Sequence, residues 1–273
     1  MLMRSLIKTV QILFTMKKFI TQKIVLLTLF VFCLSFVTTA QKRVDAEVIL
    51  KAVKSGKTIS YKNATIVGVL DFTFMDEALN NLPKRKKWRN YNNTNKVEKQ
   101  IESSISFINC TFEDDVLAYI PDEHSGYTFT ANFEEGAIFK NCTFKEKAMF
   151  KYSTFERDAS FEDTTFNGDS TFKYAKFKKD SSFKNTSFEE SSTFKYTKFN
   201  RNVSFANAVF KETATFKYAK FNDGVSFNNA NFEEDLNLKY TKVSGDFDIK
   251  GMHVSYSINT KYTKINGKSF SFY

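Results

Sequence analysis

Histidine occurs only twice in 273 residues, at His124 and His253, and neither stands at a catalytic spacing from a Ser, a Cys or an acidic cluster. No glycine-rich phosphate loop and no Cys/His zinc spacing is present. The segment "PDEH" at 121–124 offers a cation a few polar side chains in a loop, which is too little to define a site. These absences point to a noncatalytic chain with no cofactor. With 2 Pro and 9 Gly, collagen-like and low-complexity structure are also excluded. What the sequence does hold is aromatic: 32 Phe and 12 Tyr, in a chain whose mean hydropathy is nevertheless −0.35.

The first 40 residues differ from the rest. Lys17 and Lys18 precede an apolar run at 24–37, then "TTAQ", which is the basic, apolar, small order of a secretory signal with a cut before Gln41. Met16 makes an ordinary basic start, "MKKFITQK", as an alternative to Met1. The run is short for a membrane anchor, which needs about 20 residues. Cys33 follows Phe32 rather than a small residue, so a lipid-modified start is not indicated. Arg4, Lys8, Lys17, Lys18 and Lys23, with no acid among them, supply half of the formal net charge of +10. The expectation is an exported protein, in the periplasm, at the cell surface or secreted.

Further along, "TFKYAKF" at 171–177, "TFKYTKF" at 193–199 and "TFKYAKF" at 215–221 recur at one fixed interval. Phe139, Phe144, Phe150, Phe155, Phe161 and Phe166 begin a ladder that runs to Phe232 with spacings alternating five and six, and Leu238, Val243, Ile249, Val254 and Ile265 continue it. Such an alternation fits neither the helical period of 3.6 nor the strand period of 2, and reads as a solenoid. A small residue stands two before most of these Phe, as at Ala175, Ser181, Thr186, Ala208, Ala219 and Ala230. Residues i and i−2 of an extended segment face the same way, so both point inward and their neighbours point out. Four such segments, alternately five and six long, make one coil of a four-sided tube, and the fixed interval of the repeated heptapeptide is one full circuit. Coils about 4.8 Å apart would stack each inward Phe on its copy.

In this pattern, seen clearly in "SFNNANFEED" at 226–235, the chain resembles the pentapeptide-repeat proteins, in a Phe-rich variant whose sixth residues widen two corners per coil. The resemblance implies an all-β fold, a right-handed quadrilateral parallel β-helix, and the alternating spacings of this sequence make its coil about 22 residues. It also implies that C-terminal coils can join two molecules into a homodimer. The organisation expected is a signal peptide at 1–40, a cap helix and leading strand at 41–60, and repeats at 61–273 interrupted by insertions at 73–100 and 113–127. "DAEVILKAVKSGK" supplies the short N-terminal capping helix, with Asp45 as N-cap, Ile49 and Val53 apolar, and Gly56 as the stop. At the far end Phe270, Phe272 and Tyr273 either fold over the last coil or pair two molecules end to end.

The four faces are termed A to D, with A centred on Phe150, Phe172, Phe194, Phe216 and Leu238. Counting backwards places Phe72 on A, Ile101 on B, Phe107 on C and Phe112 on D, with the next A position near Thr128 or Phe129. Cys110 and Cys142, each in "NCTF", fall at equivalent inward positions of adjacent coils, either as a disulfide or as two small buried thiols. Just after face A come Lys173, Lys195, Lys217 and Lys239, each followed by Tyr174, Tyr196, Tyr218 and Tyr240; Lys176, Lys198, Lys220 and Lys242 open face B. The A/B edge is therefore a Lys, Tyr, Lys stripe. Face D instead carries Glu146, Glu190, Glu212 and Glu234, and face C is polar and nearly neutral. The stripe suits an anionic polymer, and an exported chain would meet an acidic polysaccharide or lipid head group, or an acidic protein partner, rather than nucleic acid. The alternative is a coil copied by duplication with no ligand. In the first insertion Lys84, Arg85, Lys86, Lys87 and Arg89 surround Trp88, either a solvated loop or a second anion-seeking element at the same edge.

Overall fold

The computed structural model describes residues 17–18, 21–23, 41–84 and 95–272. The chain divides into residues 1–41 and 42–273. In the first unit residues 17–18 and 21–23 are helical, and the Thr21 hydroxyl donates to the Lys17 carbonyl at 2.8 Å. The apolar run and the small residues before Gln41 lie outside the described residues.

In the second unit the described strands form four sheets, nearly all of their pairings parallel, and these are the four faces. Along most of the unit each strand is a mere pair of residues and bonds to its counterpart one repeat further on, as in Thr143↔Thr165 and Phe144↔Phe166, or Lys176↔Lys198 and Phe177↔Phe199. So short a strand cannot hold itself, and its partners in the coils on either side supply its hydrogen bonds. Inward Phe residues are buried on every face, and the small residues two before them are buried with them. Rings of one face stack coil on coil: Phe172–Phe194–Phe216 at 5.0 and 4.9 Å on A, Phe155–Phe177–Phe199 at 4.7 and 4.9 Å on B. Rings of opposite faces meet edge-on, Phe172 to Phe183 at 5.2 Å and 84°. Both geometries are those an aromatic quadrupole favours.

The N-terminal lid forms as expected. The first strand, β1 (Lys42–Asp45), extends face D by pairing Val44 with Ile66. The helix α1 (Ala46–Lys54) then turns across the opening, with the Asp45 carboxylate accepting from Glu47 N–H, Ile49 and Val53 buried, and Gly56 at φ +69°.

The phasing of the early coils needs one correction. Val116–Leu117 pair with Ala148–Met149, so Ala118, not Thr128 or Phe129, holds the A position over Phe150. An Ala leaves no mark on a Phe ladder, so a count of Phe passes over it. The extra residues of the second insertion therefore lie after Ala118: Tyr119–Asp122 and Tyr127–Phe133 form an antiparallel hairpin, and Phe133 returns to face B over Ile101. The first insertion likewise lies between Leu70–Asp71 on face A and Lys96–Ile101 on face B. Both open at the A/B corner. At the C-terminus Lys264–Ile265 and Lys268–Ser269 form a second hairpin across Asn266–Gly267, with φ of +49° and +79°. It brings Phe270 back over the last coil, with its N–H on Thr263 O at 3.1 Å and its ring edge-on to Phe247 at 5.2 Å. Phe270 thus folds over the last coil, and Tyr273 lies outside the described residues.

Candidate binding edge

The tighter pair of corners, A/B and C/D, are turns whose third residue is left-handed. At C/D that residue is Asp163, Asn185, Asn207 or Asn229, with φ between +52° and +57°. Asn and Asp are the side chains that tolerate this conformation. At A/B the equivalent residue is Tyr152, Tyr174, Tyr196, Tyr218, Tyr240 or Tyr262, with φ between +61° and +65°. A bulky residue held there costs about 1–2 kcal/mol. The turn alone does not call for Tyr.

What Tyr gains is a column. Successive rings lie 4.9, 4.7, 4.6, 4.6 and 4.8 Å apart, within 17° of parallel. Each contact contributes about 0.5–1.5 kcal/mol beyond burial, so an inner Tyr with two neighbours recovers its backbone strain. Beside each ring stands the ammonium of the preceding Lys: Lys173 to Tyr174 at 5.5 Å, Lys195 to Tyr196 and Lys217 to Tyr218 at 5.4 Å, Lys239 to Tyr240 at 5.3 Å. These lysines are half-buried, and desolvation, then Lys151 and Lys195 on either side, holds the Lys173 ammonium below the usual lysine range. Desolvation, followed by the neighbouring tyrosines, pushes the Tyr218 phenol up.

The second lysine row is more open. Lys176, Lys198, Lys220, Lys242 and Lys264 are exposed and paired in register on face B. Several lysines elsewhere find carboxylates, as in Lys140–Glu162 at 3.2 Å and Lys145–Glu113 at 2.8 Å. Among the described residues no ion pair reaches either lysine row of the stripe from Lys173 to Lys264. At its N-terminal end the stripe is closed by the hairpin, where Lys151 Nζ donates to Tyr119 Oη at 2.8 Å and sits 4.3 Å from that ring, and Lys96 lies 5.5 Å from the Tyr152 ring. Sequence reasoning missed Tyr119 and Lys96, because they reach the edge from insertions that obey no period.

The basic loop is placed only at its start. Lys84 is exposed, and Pro83 O accepts from Tyr127 Oη, which ties the first insertion to the second. Arg85, Lys86, Lys87, Trp88 and Arg89 lie outside the described residues. Near this corner a hollow of about 470 Å³ opens over face A, lined by Leu50, Val69, Phe74, Met75, Leu117 and Ile120, with Lys54 and Glu77 paired on its rim.

Cys110 and Cys142 do sit at equivalent positions of adjacent coils, and both are thiols. Cys142 Sγ donates to Phe107 O at 3.4 Å, the contact that Thr164 Oγ1 makes with Phe139 O at 2.6 Å and Thr186 Oγ1 with Phe161 O at 2.7 Å. Their place is that of a turn-bracing Thr. The hydrogen bond with Cys110, then burial, pushes the Cys142 thiol up.

Residues 129–176, 172–218 and 194–242 match the family model described as pentapeptide repeats (9 copies). No curated protein and no solved structure matches the chain.

Proposed function

Residues 129–242 of this chain belong to the pentapeptide-repeat family, and on that footing we propose that it is an exported, noncatalytic solenoid scaffold whose A/B edge holds an anionic envelope polymer. Pentapeptide repeats make a structural solenoid. The observation that carries the finer reading is the contrast between the two tight corners: the same turn is made with Asn or Asp at C/D and with a strained Tyr, between two lysine rows, at A/B. Lysines about 4.8 Å apart repel by about 1 kcal/mol in water before screening. An acidic polysaccharide or the head groups of an acidic lipid would relieve that repulsion along the whole edge, while sugar rings or acyl-linked backbones lie against the phenol column. Export is supported by the Lys17–Lys18 pair, the apolar run and the small residues before Gln41, and it favours glycans and lipids over nucleic acid.

The test is retention of the protein on an immobilised acidic polysaccharide, on lipopolysaccharide and on vesicles with acidic lipids, at low and physiological salt. The variant Lys176→Glu/Lys198→Glu/Lys220→Glu changes only exposed side chains and should melt like the parent. Salt-sensitive retention that this variant loses supports the reading. Failure of every ligand to retain the parent would leave the stripe as a copied coil.

A further inference from the structure

The lysine rows repeat once per coil, so a partner with the same repeat meets every lysine without drifting out of step. The molecule carries such a partner on its other side. At the corner between faces D and A, Glu146, Asp169, Glu190, Glu212 and Glu234 give five successive coils at least one carboxylate each. The column steps aside once, at Gly168, where a Cβ would lie 2.8 Å from the Glu146 carbonyl carbon, and the charge moves to Asp169. Hydroxyls attend this row, Ser191 Oγ on Glu212 at 2.9 Å and Thr213 Oγ1 on Glu234 at 3.4 Å, but among the described residues no ion pair involves Glu146, Asp169, Glu190, Glu212 or Glu234. Its members crowd one another: the charge of Glu212 beside it pushes the Glu190 carboxyl above the usual range.

Faces B and D are opposite sides of a four-sided tube, since the chain visits A, B, C and D in turn. The exposed lysines lie on face B next to face A, and the acids lie where face D meets face A. Shifting one tube sideways by its own width therefore lays the lysines of one copy along the acids of the next, at the same level. We propose that, where no polymer fills it, the exposed lysine row is occupied by a second copy of this chain, docked side by side through its D/A acidic corner. This rests on the reading of the A/B edge as an anion-binding surface and names a partner for it. The contact is heterologous, face B to face D, so it does not close on itself and would extend into a raft of parallel tubes. Matching pitch supplies the register, and salt weakens the contact because both rows are exposed.

The experiment is sedimentation velocity of the protein over a concentration series at low and high salt. Expected are species larger than the monomer at low salt that dissolve at high salt. Glu190→Lys/Glu212→Lys/Glu234→Lys, which leaves the A/B edge untouched, should stay monomeric yet keep its retention on the acidic polymers; the triple lysine variant should lose both. Mixing the two triple variants should restore association, since each then presents what the other needs, and that rescue requires both to be folded. A parent that is monomeric at low salt, or an acid-row variant that associates like the parent, overturns the proposal without touching polymer binding. Loss of polymer retention with association intact would instead sink the polymer reading alone.

Discussion

At the scale of the residue, each inward position has one job, and departures from it are measurable. Phe194 is fully buried between Phe172 and Phe216 and edge-on to Phe183 and Phe205 at 5.3 and 5.2 Å. Phe194→Ala should lower unfolding free energy by about 3–5 kcal/mol in denaturant titration. The small inward positions are less well used: Ser170 and Ser192 have buried hydroxyls without a partner, while Ala148 and Ala214 fill the same column. Leaving a hydroxyl unsatisfied costs about 1–3 kcal/mol, so Ser192→Ala should raise the melting temperature. At the acidic corner the sign follows from Glu190. Its carboxyl holds its proton more tightly in the fold than in the unfolded chain, so the fold is favoured below the ordinary carboxylate range and loses that advantage as pH rises through the raised value. Glu190→Gln should therefore stabilise at pH 7 and change nothing at pH 3, which thermal melts at the two pH values would show.

At the scale of the element, the corner is the unit that reads clearly. The Phe ladder, the cap helix and the lysine and tyrosine columns all follow a period or a cap rule, and all could be laid out from the sequence. The Asn266–Gly267 pair is a strong hairpin signal by its left-handed preference, yet a count of the inward ladder passes over it. Ala118 and the Tyr119–Asp122 strand could not be read, because an insertion is free of the repeat that constrains everything around it. The left-handed tyrosines set strain against stacking, and an inner and a terminal position of the column separate them. Tyr218 stacks on both sides, at 4.6 Å each, so Tyr218→Asn should be close to neutral: relief of about 1–2 kcal/mol of strain against loss of two contacts. Tyr262 is 58% exposed and among the described residues stacks only on Tyr240, at 4.8 Å, so Tyr262→Asn should stabilise. Equal effects at both positions would mean that the stacking contributes nothing.

At the scale of the whole 42–273 unit, the repeat turns single side chains into rows, and rows have properties that no single residue has. One exposed lysine is a weak anion site; five in register make a field that a polyanion can follow from coil to coil. That is the central claim, and its consequence is graded loss. The decisive measurement is the salt dependence of affinity for an acidic polysaccharide in the parent and in Lys198→Glu, Lys198→Glu/Lys220→Glu and Lys176→Glu/Lys198→Glu/Lys220→Glu. If the edge is read as a ladder, the slope of log affinity against log salt should fall by a similar step with each coil reversed, since each lysine displaces its own counterion. A slope that collapses with the first substitution, or one that none of the three alters, would contradict it.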